Sequence, residues 1–135
     1  MYISETSIRV RYAETDQMGY VYYGNYAMYY EVARVESLRQ LGLTYREIEE
    51  MGVMMPVLEN KSRYLAPARY DDLLRIVTTL REKPGVRIKF EYDIYNGDST
   101  LIHQGETVLV FINSTTNKPC RQPPAMEKVL ERFFG

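Results

Sequence analysis

Two kinds of hydrophobic spacing occur in the first third of the chain. From Ser7 to Tyr12, apolar and charged residues alternate, which is the pattern of a half-buried strand. From Asn25 to Leu41, apolar residues recur at spacings of three and four, which predicts a helix with Gly42 as its stop. Thr44 and Glu47 then have the spacing of a capping box, so we expect a short second helix.

Beyond residue 53 the pattern becomes that of consecutive strands. The predicted strands cover Val53–Leu65 (interrupted by Pro56), Leu73–Arg81, Val86–Tyr95 and Leu101–Ile112. The dipeptides Pro84-Gly85 and Asn96-Gly97 are strong turn signals, so the last three strands are expected to pair antiparallel. Alternation in the third strand predicts a shared face for Val86, Ile88, Phe90, Tyr92 and Ile94.

A last amphipathic helix, Met126–Phe134, is predicted after Pro123-Pro124. The order of elements is strand, long helix and a meander of strands. This order suits an α+β domain in which an antiparallel sheet wraps a long central helix. No repeat or linker divides the 135 residues. We therefore predict a single domain over residues 1–135.

Charge and cysteine content exclude several classes of protein. Seventeen basic residues against 18 acidic ones give a net charge of −1, which excludes nucleic-acid binding through bulk positive charge. The single Cys120 excludes an intramolecular disulfide framework, and with the single His103 it argues against a Cys/His zinc site. No secretory signal opens the chain, and no apolar run reaches the ~18 residues of a membrane helix. The sequence thus predicts a soluble, cytoplasmic protein.

The residues most suggestive of chemistry lie between Val10 and Tyr26. This segment contains Thr15-Asp16-Gln17-Met18-Gly19 and then a tyrosine cluster that ends in Tyr23-Gly24-Asn25-Tyr26. It resembles the active-site signature of the hotdog-fold acyl-CoA thioesterases, in particular the 4-hydroxybenzoyl-CoA thioesterase-like family. Later segments that fit the same family are Glu31 with Ala33-Arg34, Pro67 to Asp72, and Gly105 to Phe111.

The resemblance implies a hotdog fold and hydrolysis of an acyl-CoA thioester to a carboxylic acid and free coenzyme A. Coenzyme A enters as part of the substrate, and no metal or bound cofactor is expected. The family also implies a homo-oligomer, either a dimer or a tetramer. A strand-rich sheet with free edges and a cluster of tyrosines gives an independent reason to expect self-association.

The same resemblance places the catalytic carboxylate at Asp16. Thioester hydrolysis requires a nucleophile or a general base beside the carbonyl carbon, and an aspartate with an ordinary pKa of about 3.9 is ionised at neutral pH. Asp16 either attacks the carbonyl carbon or activates a water molecule, and the sequence leaves both routes open. The structural alternative is a turn aspartate that binds its own loop. Glu14 is expected to be solvated or to form a salt bridge.

The start of the long helix supplies the second half of the expected site. Its unpaired N–H groups and the positive end of its dipole suit a developing oxyanion. Relatives often have histidine where this chain has Tyr23, so the catalytic role transferred to Tyr23 is that of its main-chain N–H. Gly24 beside it would leave room for the close approach of a substrate.

Further substrate contacts are implied for Gly19, Gly24, Asn25 and Tyr26. A structural alternative for Asn25 is the N-cap of the helix. The tyrosines of this region either line an acyl or aromatic pocket or pack in the core and at an interface.

Three basic residues, Lys83, Arg87 and Lys89, are candidates for contact with the phosphates of coenzyme A. The alternative for them is a solvated strand face. His103 receives no catalytic role because no serine nucleophile motif accompanies it. Cys120 receives none because no activating histidine is visible.

Two other functions remain open beside thioester hydrolysis. One is a hotdog dehydratase that acts on 3-hydroxyacyl thioesters with a histidine and an acidic partner, for which His103 is the only histidine available. The other is a non-catalytic protein that binds acyl-CoA or another protein. The intact Asp16-Gln17-Met18-Gly19 segment favours the hydrolase.

Overall fold

The computed structural model describes all 135 residues and contains eight strands and three α-helices. The strands are β1 (Tyr2–Arg9), β2 (Val53–Met54), β3 (Val57–Tyr64), β4 (Leu73–Leu80), β5 (Arg87–Tyr95), β6 (Leu101–Val110), β7 (Ile112–Asn113) and β8 (Lys118–Pro119). The helices are α1 (Tyr26–Arg39), α2 (Tyr45–Glu50) and α3 (Pro124–Phe134). Two short 3₁₀ segments, Tyr12–Glu14 and Tyr23–Asn25, lie between β1 and α1.

Five strands form one antiparallel sheet in the order β1-β4-β5-β6-β3. The remaining three short strands form a small second sheet in the order β2-β7-β8. The helix α1 packs on the inner face of the large sheet, and its buried side chains are Tyr26, Tyr29, Tyr30, Ala33, Arg34, Ser37 and Leu38. This arrangement confirms the prediction of an antiparallel sheet around one long helix.

The turn-linked strands agree well with their sequence pattern. Ile88, Phe90, Tyr92 and Ile94 of β5 are all at most 1% exposed. Val86 is an exception, because it precedes β5 and is 41% exposed. The short helix α2 begins as predicted, with the Thr44 side chain accepting a hydrogen bond from the Glu47 N–H at 3.1 Å.

The prediction for the first strand was wrong in its boundaries. Residues Ser7 to Tyr12 were expected, whereas β1 covers Tyr2–Arg9. Its inward positions include the polar Ser4 and Thr6, opposite Thr78 and Ile76 of β4, so the strand lacks the apolar alternation of its neighbours.

The large sheet ends in a bare edge at β3. This strand pairs only with β6, and seven of its eight residues are exposed. Val57, Leu58 and Tyr64 are 44%, 51% and 54% exposed, so the edge is partly apolar. None of the helices is long and apolar enough to cross a membrane.

Candidate active site

The loop between β1 and α1 is organised by the buried Glu14. Its carboxylate accepts hydrogen bonds from the Arg11 backbone N–H (3.0 Å), Arg11 Nε (2.9 Å) and Tyr29 Oη (2.9 Å). Burial raises the pKa of Glu14, but the hydrogen bonds from Arg11 and Tyr29 outweigh it, so the net pKa is lowered. The expectation of a salt bridge is confirmed, at 2.7 Å from Arg11, whereas the expectation of a solvated side chain was wrong.

The main-chain carbonyl of Glu14 holds the other side of the loop. It accepts hydrogen bonds from the Tyr22 N–H at 2.9 Å and from Asn25 Nδ2 at 2.8 Å. Asn25 does precede α1, but its side chain makes no capping hydrogen bond, so the expected side-chain cap is absent. Asn25 instead ties the start of the helix to the segment that carries Asp16.

Asp16 is half-buried, and its two carboxylate oxygens have different surroundings. Oδ1 accepts hydrogen bonds from the N–H groups of Met18 (3.0 Å) and Tyr20 (3.2 Å), which is the turn interaction foreseen as its structural alternative. Oδ2 makes no hydrogen bond within the chain. Gly19 allows this turn because its φ is +80°, a conformation that side chains rarely adopt. The carboxylate is therefore fixed through one oxygen and free at the other.

Asp16 lines a cavity of about 320 Å³ between the loop and the end of β3. The other lining residues are Met18, Tyr20, Val21, Tyr23, Tyr26, Tyr64, Leu65, Ala66 and Pro67. Asp16 is the only charged residue among them. Such a mainly apolar, aromatic cavity with a single carboxylate has the character of a small-molecule site.

The start of α1 lies beside this cavity. The 3₁₀ segment continues into α1 without a break, and its first hydrogen bond runs from the Asn25 N–H to Tyr22 O at 2.9 Å. The N–H groups of Tyr23 and Gly24 precede that bond and have no helical partner. A Cβ at position 24 would lie 2.8 Å from Tyr22 Cε2, so the glycine accommodates the Tyr22 ring.

Only one of the three helical tyrosines lines the cavity. Tyr26 does so although it is 3% exposed, whereas Tyr29 and Tyr30 are core residues. Burial raises the pKa of Tyr26 to about 12, so its phenol stays protonated at neutral pH. Tyr64 of β3 was absent from the sequence-based candidates, because its position at the end of an edge strand shows no chemical motif.

The basic candidates lie at the opposite end of the sheet. Lys83 is 3.6 Å from Glu127, Lys89 is 3.6 Å from Glu106, and Arg87 has no ionic partner. Ile94 of β5 pairs with His103, the β6 residue whose ring is stacked on Tyr26. Arg87 lies seven positions before Ile94, which corresponds to about 23 Å along a strand. Within one chain, these side chains are therefore remote from Asp16.

A second concavity of about 360 Å³ lies on the outer face of the sheet. Its charged residues are Lys61, Arg63, Arg81, Glu91, Asp93 and Glu106. Arg81 and Glu91 are already paired at 2.8 Å, and Gln104 donates to Asp93 at 3.1 Å. Most of the charges on this face are paired, and Arg63 is the exception. Asp93 is held through one oxygen as Asp16 is, but it lies among several other charges, whereas Asp16 is the only charged residue of its cavity.

The chain is similar to proteins of a known family. Residues 10–133 match the model of the thioesterase-like superfamily. The chain belongs to this superfamily. It is 34% identical over 119 residues to the putative acyl-CoA thioesterase YneP of Bacillus subtilis, covering 88% of this chain and 86% of that protein. It is 33% identical to the acyl-CoA thioester hydrolase YbgC of Escherichia coli, covering 88% and 89%.

A solved structure extends the match to the whole fold. The DHNA-CoA thioesterase of Staphylococcus aureus superposes with a TM-score of 0.93 at 33% identity, covering 99% of this chain and 92% of that one. The hotdog fold predicted from the sequence is therefore confirmed, and a thioester hydrolase is confirmed at the level of the family. The roles predicted for individual site residues stay predictions.

Proposed function

We propose that this protein hydrolyses acyl-CoA thioesters and that Asp16 is the catalytic carboxylate. The observation that carries this proposal is the Asp16 side chain, fixed through Oδ1 and free at Oδ2, in a cavity that has no other charge. The named activities of YneP and YbgC support the same substrate class. A carboxylate in such surroundings is available either as a base or as a nucleophile.

Two routes lead from this geometry to a carboxylic acid and free coenzyme A. In the first, Asp16 takes a proton from water, the resulting hydroxide bonds to the carbonyl carbon, and the carbon–sulfur bond breaks. In the second, Asp16 Oδ2 bonds to that carbon, expels the thiolate and forms a mixed anhydride that water then hydrolyses. In both, the thiolate leaves with the electron pair and is protonated from solvent.

The developing oxyanion is best served by the start of α1. The Tyr23 N–H precedes the first helical hydrogen bond and lies in a residue that lines the cavity with Asp16. The helix dipole adds positive potential at this end. We therefore propose a catalytic role for the main chain of Tyr23, and substrate contacts for Gly19, Gly24, Asn25 and Tyr26.

The acyl group that suits the cavity is uncharged. No basic side chain lines it to balance a second carboxylate, and four of its walls are tyrosines: Tyr20, Tyr23, Tyr26 and Tyr64. Aromatic rings offer apolar contact and stacking to an aryl or a short alkyl group. The substrate named for the Staphylococcus aureus structure, DHNA-CoA, has an aromatic acyl group.

We also propose that the protein works as a homo-oligomer in the cytoplasm, without a bound cofactor. The bare and partly apolar edge at β3 supports self-association, because unpaired strand edges are covered in stable folds. Contact of Lys83, Arg87 and Lys89 with coenzyme A phosphates stays a proposal, and a second copy would be needed if these residues are to reach a substrate held by Asp16.

The dehydratase alternative finds less support. It requires a histidine with an acidic partner, and the hydrogen-bond partner of the only histidine, His103, is the phenol of Tyr30.

The non-catalytic alternative is decided by experiment. Release of coenzyme A is measured over aliphatic and aromatic acyl-CoAs. Turnover by the wild type supports the proposal, whereas binding without release would support the non-catalytic alternative.

An isotope experiment identifies the anhydride route when ¹⁸O appears in the Asp16 carboxylate. A single turnover in H₂¹⁸O places ¹⁸O directly in the product acid when water attacks the thioester. With a mixed anhydride, water attack at the Asp16 carboxyl would leave ¹⁸O in the enzyme, where mass spectrometry of the peptide containing Asp16 would detect it.

A further inference from the structure

His103 lies directly behind the cavity and is completely buried. Its ring is stacked face to face with Tyr26, with a centroid distance of 3.9 Å and an interplanar angle of 3°. Tyr26 therefore has the cavity at its surface and His103 supporting its ring. A flat stack at this distance leaves the Tyr26 ring little freedom to move back from the cavity.

The same histidine also supports a second wall of the cavity. The Tyr64 ring meets His103 edge-on at 4.9 Å and 77°, and it meets Tyr26 edge-on at 5.5 Å and 80°. Each of the three rings thus contacts the other two. Two of them line the cavity, and His103 is the one that does not.

His103 is itself anchored to three elements of the fold. Its Nε2 is hydrogen-bonded to Tyr30 Oη of α1, and Tyr30 Oη is 2.5 Å from Ser62 Oγ of β3. The Tyr30 ring is in turn stacked on Tyr92 of β5 at 4.4 Å. His103 Nδ1 has no hydrogen-bond partner. An unprotonated Nδ1 avoids the cost of a buried donor, so we assign the proton to Nε2, which then donates to Tyr30.

We propose that His103 is a positioning residue that fixes the rings of Tyr26 and Tyr64 and thereby limits the size of acyl group the cavity accepts. This proposal rests on the function proposed above. Loss of the imidazole would open space behind Tyr26, and the ring would retreat into it. The cavity would then deepen, and kcat/KM for larger acyl groups would rise relative to kcat/KM for smaller ones.

The test compares an acyl group that has one aromatic ring with an acyl group that has two fused aromatic rings. We measure kcat/KM for benzoyl-CoA and 2-naphthoyl-CoA with the wild type, His103→Ala and His103→Phe. His103→Ala is expected to raise the naphthoyl-to-benzoyl ratio at least tenfold. His103→Phe keeps a flat ring behind Tyr26, so the ratio should stay within threefold of the wild type although the hydrogen bond to Tyr30 is lost.

A matched control separates this effect from general loosening of the core. Leu109→Ala removes an equally buried side chain from the same face of β6, away from the cavity, and its ratio should stay within threefold of the wild type. If His103→Ala does not fold, His103→Val serves in its place: its side chain is smaller than the imidazole and has no flat ring, so it is expected to raise the ratio by a smaller factor. An unchanged ratio in a folded His103→Ala or His103→Val protein would overturn the proposal.

Binding distinguishes this proposal from the proposed hydrolysis. Calorimetry with S-benzyl-CoA and S-(2-naphthylmethyl)-CoA measures the same size preference in compounds that cannot be hydrolysed. A shifted binding preference in His103→Ala, with no hydrolysis of any thioester by the wild type, would refute the thioesterase and support the role of His103. Wild-type hydrolysis with no shift in either ratio would refute the role of His103 alone.

Discussion

The ring of Tyr30 occupies the place that a side chain at Gly105 would need. A Cβ on residue 105 would lie 2.7 Å from Tyr30 Cε1 and closer still to the Cζ and Oη atoms. Tyr30 has no space to withdraw, because its ring is stacked on Tyr92 and its hydroxyl is bonded to His103 and Ser62. The glycine in the middle of β6 is therefore a packing requirement of α1.

We predict that Gly105→Ala lowers the free energy of unfolding by about 3 kcal/mol, because overpacking a filled core is costly. Urea denaturation measures the change. Tyr30→Phe should not rescue the variant, since Cζ and Cε1 remain in place, whereas Tyr30→Leu should recover part of the loss. Equal stability of Gly105→Ala and wild type would contradict close packing of the Tyr30 ring against residue 105.

Replacing Asp16 by asparagine tests the carboxylate without disturbing its loop. Asparagine keeps an oxygen that can accept from the Met18 and Tyr20 N–H groups, so the protein should fold normally. Loss of the base or nucleophile should lower kcat by about 10²–10⁴-fold. The matched control is Asp72→Asn, another aspartate that accepts a backbone hydrogen bond, from Arg69 at 2.8 Å. Near-normal turnover by Asp16→Asn would remove Asp16 from the mechanism.

The proposed oxyanion donor belongs to the main chain, so the Tyr23 side chain should matter little. Tyr23→Phe is expected to keep kcat/KM within about tenfold of the wild type, which corresponds to less than about 1.4 kcal/mol of barrier. Steady-state kinetics with the best acyl-CoA of the panel measures it. A loss as large as that of Asp16→Asn would instead make the phenol essential.

Gly24 has two possible reasons to lack a side chain, and a double substitution separates them. Gly24→Ala is expected to reduce activity, and Gly24→Val to reduce it more. If the cause is contact with the Tyr22 ring, Tyr22→Ala in the same chain should restore the activity of Gly24→Ala. We predict incomplete rescue, because the glycine also gives the substrate room to approach. Full rescue would show that only Tyr22 requires the glycine.

Protonation of His103 should make stability depend on pH. Burial lowers the pKa of His103 to about 4, below its ordinary value of 6.5, so the folded protein holds the ring neutral. The contribution of the neutral His103 ring to the free energy of unfolding is complete above pH 6.5. It is lost progressively as the pH falls from 6.5 to 4. Between pH 7 and 5, the free energy of unfolding should fall by about 2 kcal/mol from this group.

The control for that experiment is His103→Phe, which cannot titrate. Its stability, measured by urea denaturation at each pH, should lack this decline between pH 7 and 5. The phenols in contact with His103 stay neutral throughout this range, because burial raises the pKa of both Tyr26 and Tyr30 to about 12. Identical pH profiles for the two proteins would contradict a buried neutral histidine.

Self-association should be visible at micromolar concentration. We predict that light scattering gives at least the mass of a dimer, and that Leu58→Lys lowers the association constant by placing a charge on the exposed edge strand. Lys128→Glu, at an exposed position of α3 away from the edge strand, serves as a charge-changing control. An active wild-type monomer would refute the oligomer.

Regular alternation allowed β5 to be predicted from sequence, because nearly all of its inward side chains are apolar. Ser4 and Thr6 made β1 difficult, since polar residues face inward there. The helix α1 was predicted to within two residues at each end because its buried positions recur at helical spacing and Gly42 follows it.

The site was predictable where one local motif carried it, as at Asp16. The salt bridge of Glu14 was expected, but its role in organising the loop and the role of His103 were missed because the partners are distant in the chain: Tyr29 is 15 residues from Glu14, and Tyr30 is 73 residues from His103. The sequence signal for Glu14 is its spacing of three from Arg11. For His103 the sequence signal is its inward position on β6. That position can be assigned only when the register of β6 with β5 is known.

The pairing of β1 with β4 has a consequence for how the chain acquires its structure. Tyr2 pairs with Leu80 and Arg9 with Leu73, so β1 cannot pair until β4, which follows α1, α2, β2 and β3 in the chain, has been synthesised. Contacts between such distant segments require closure of a long loop, which slows folding relative to helical proteins of similar size. We therefore expect β1 to join the sheet late, after the β4-β5-β6 meander has formed through its short turns.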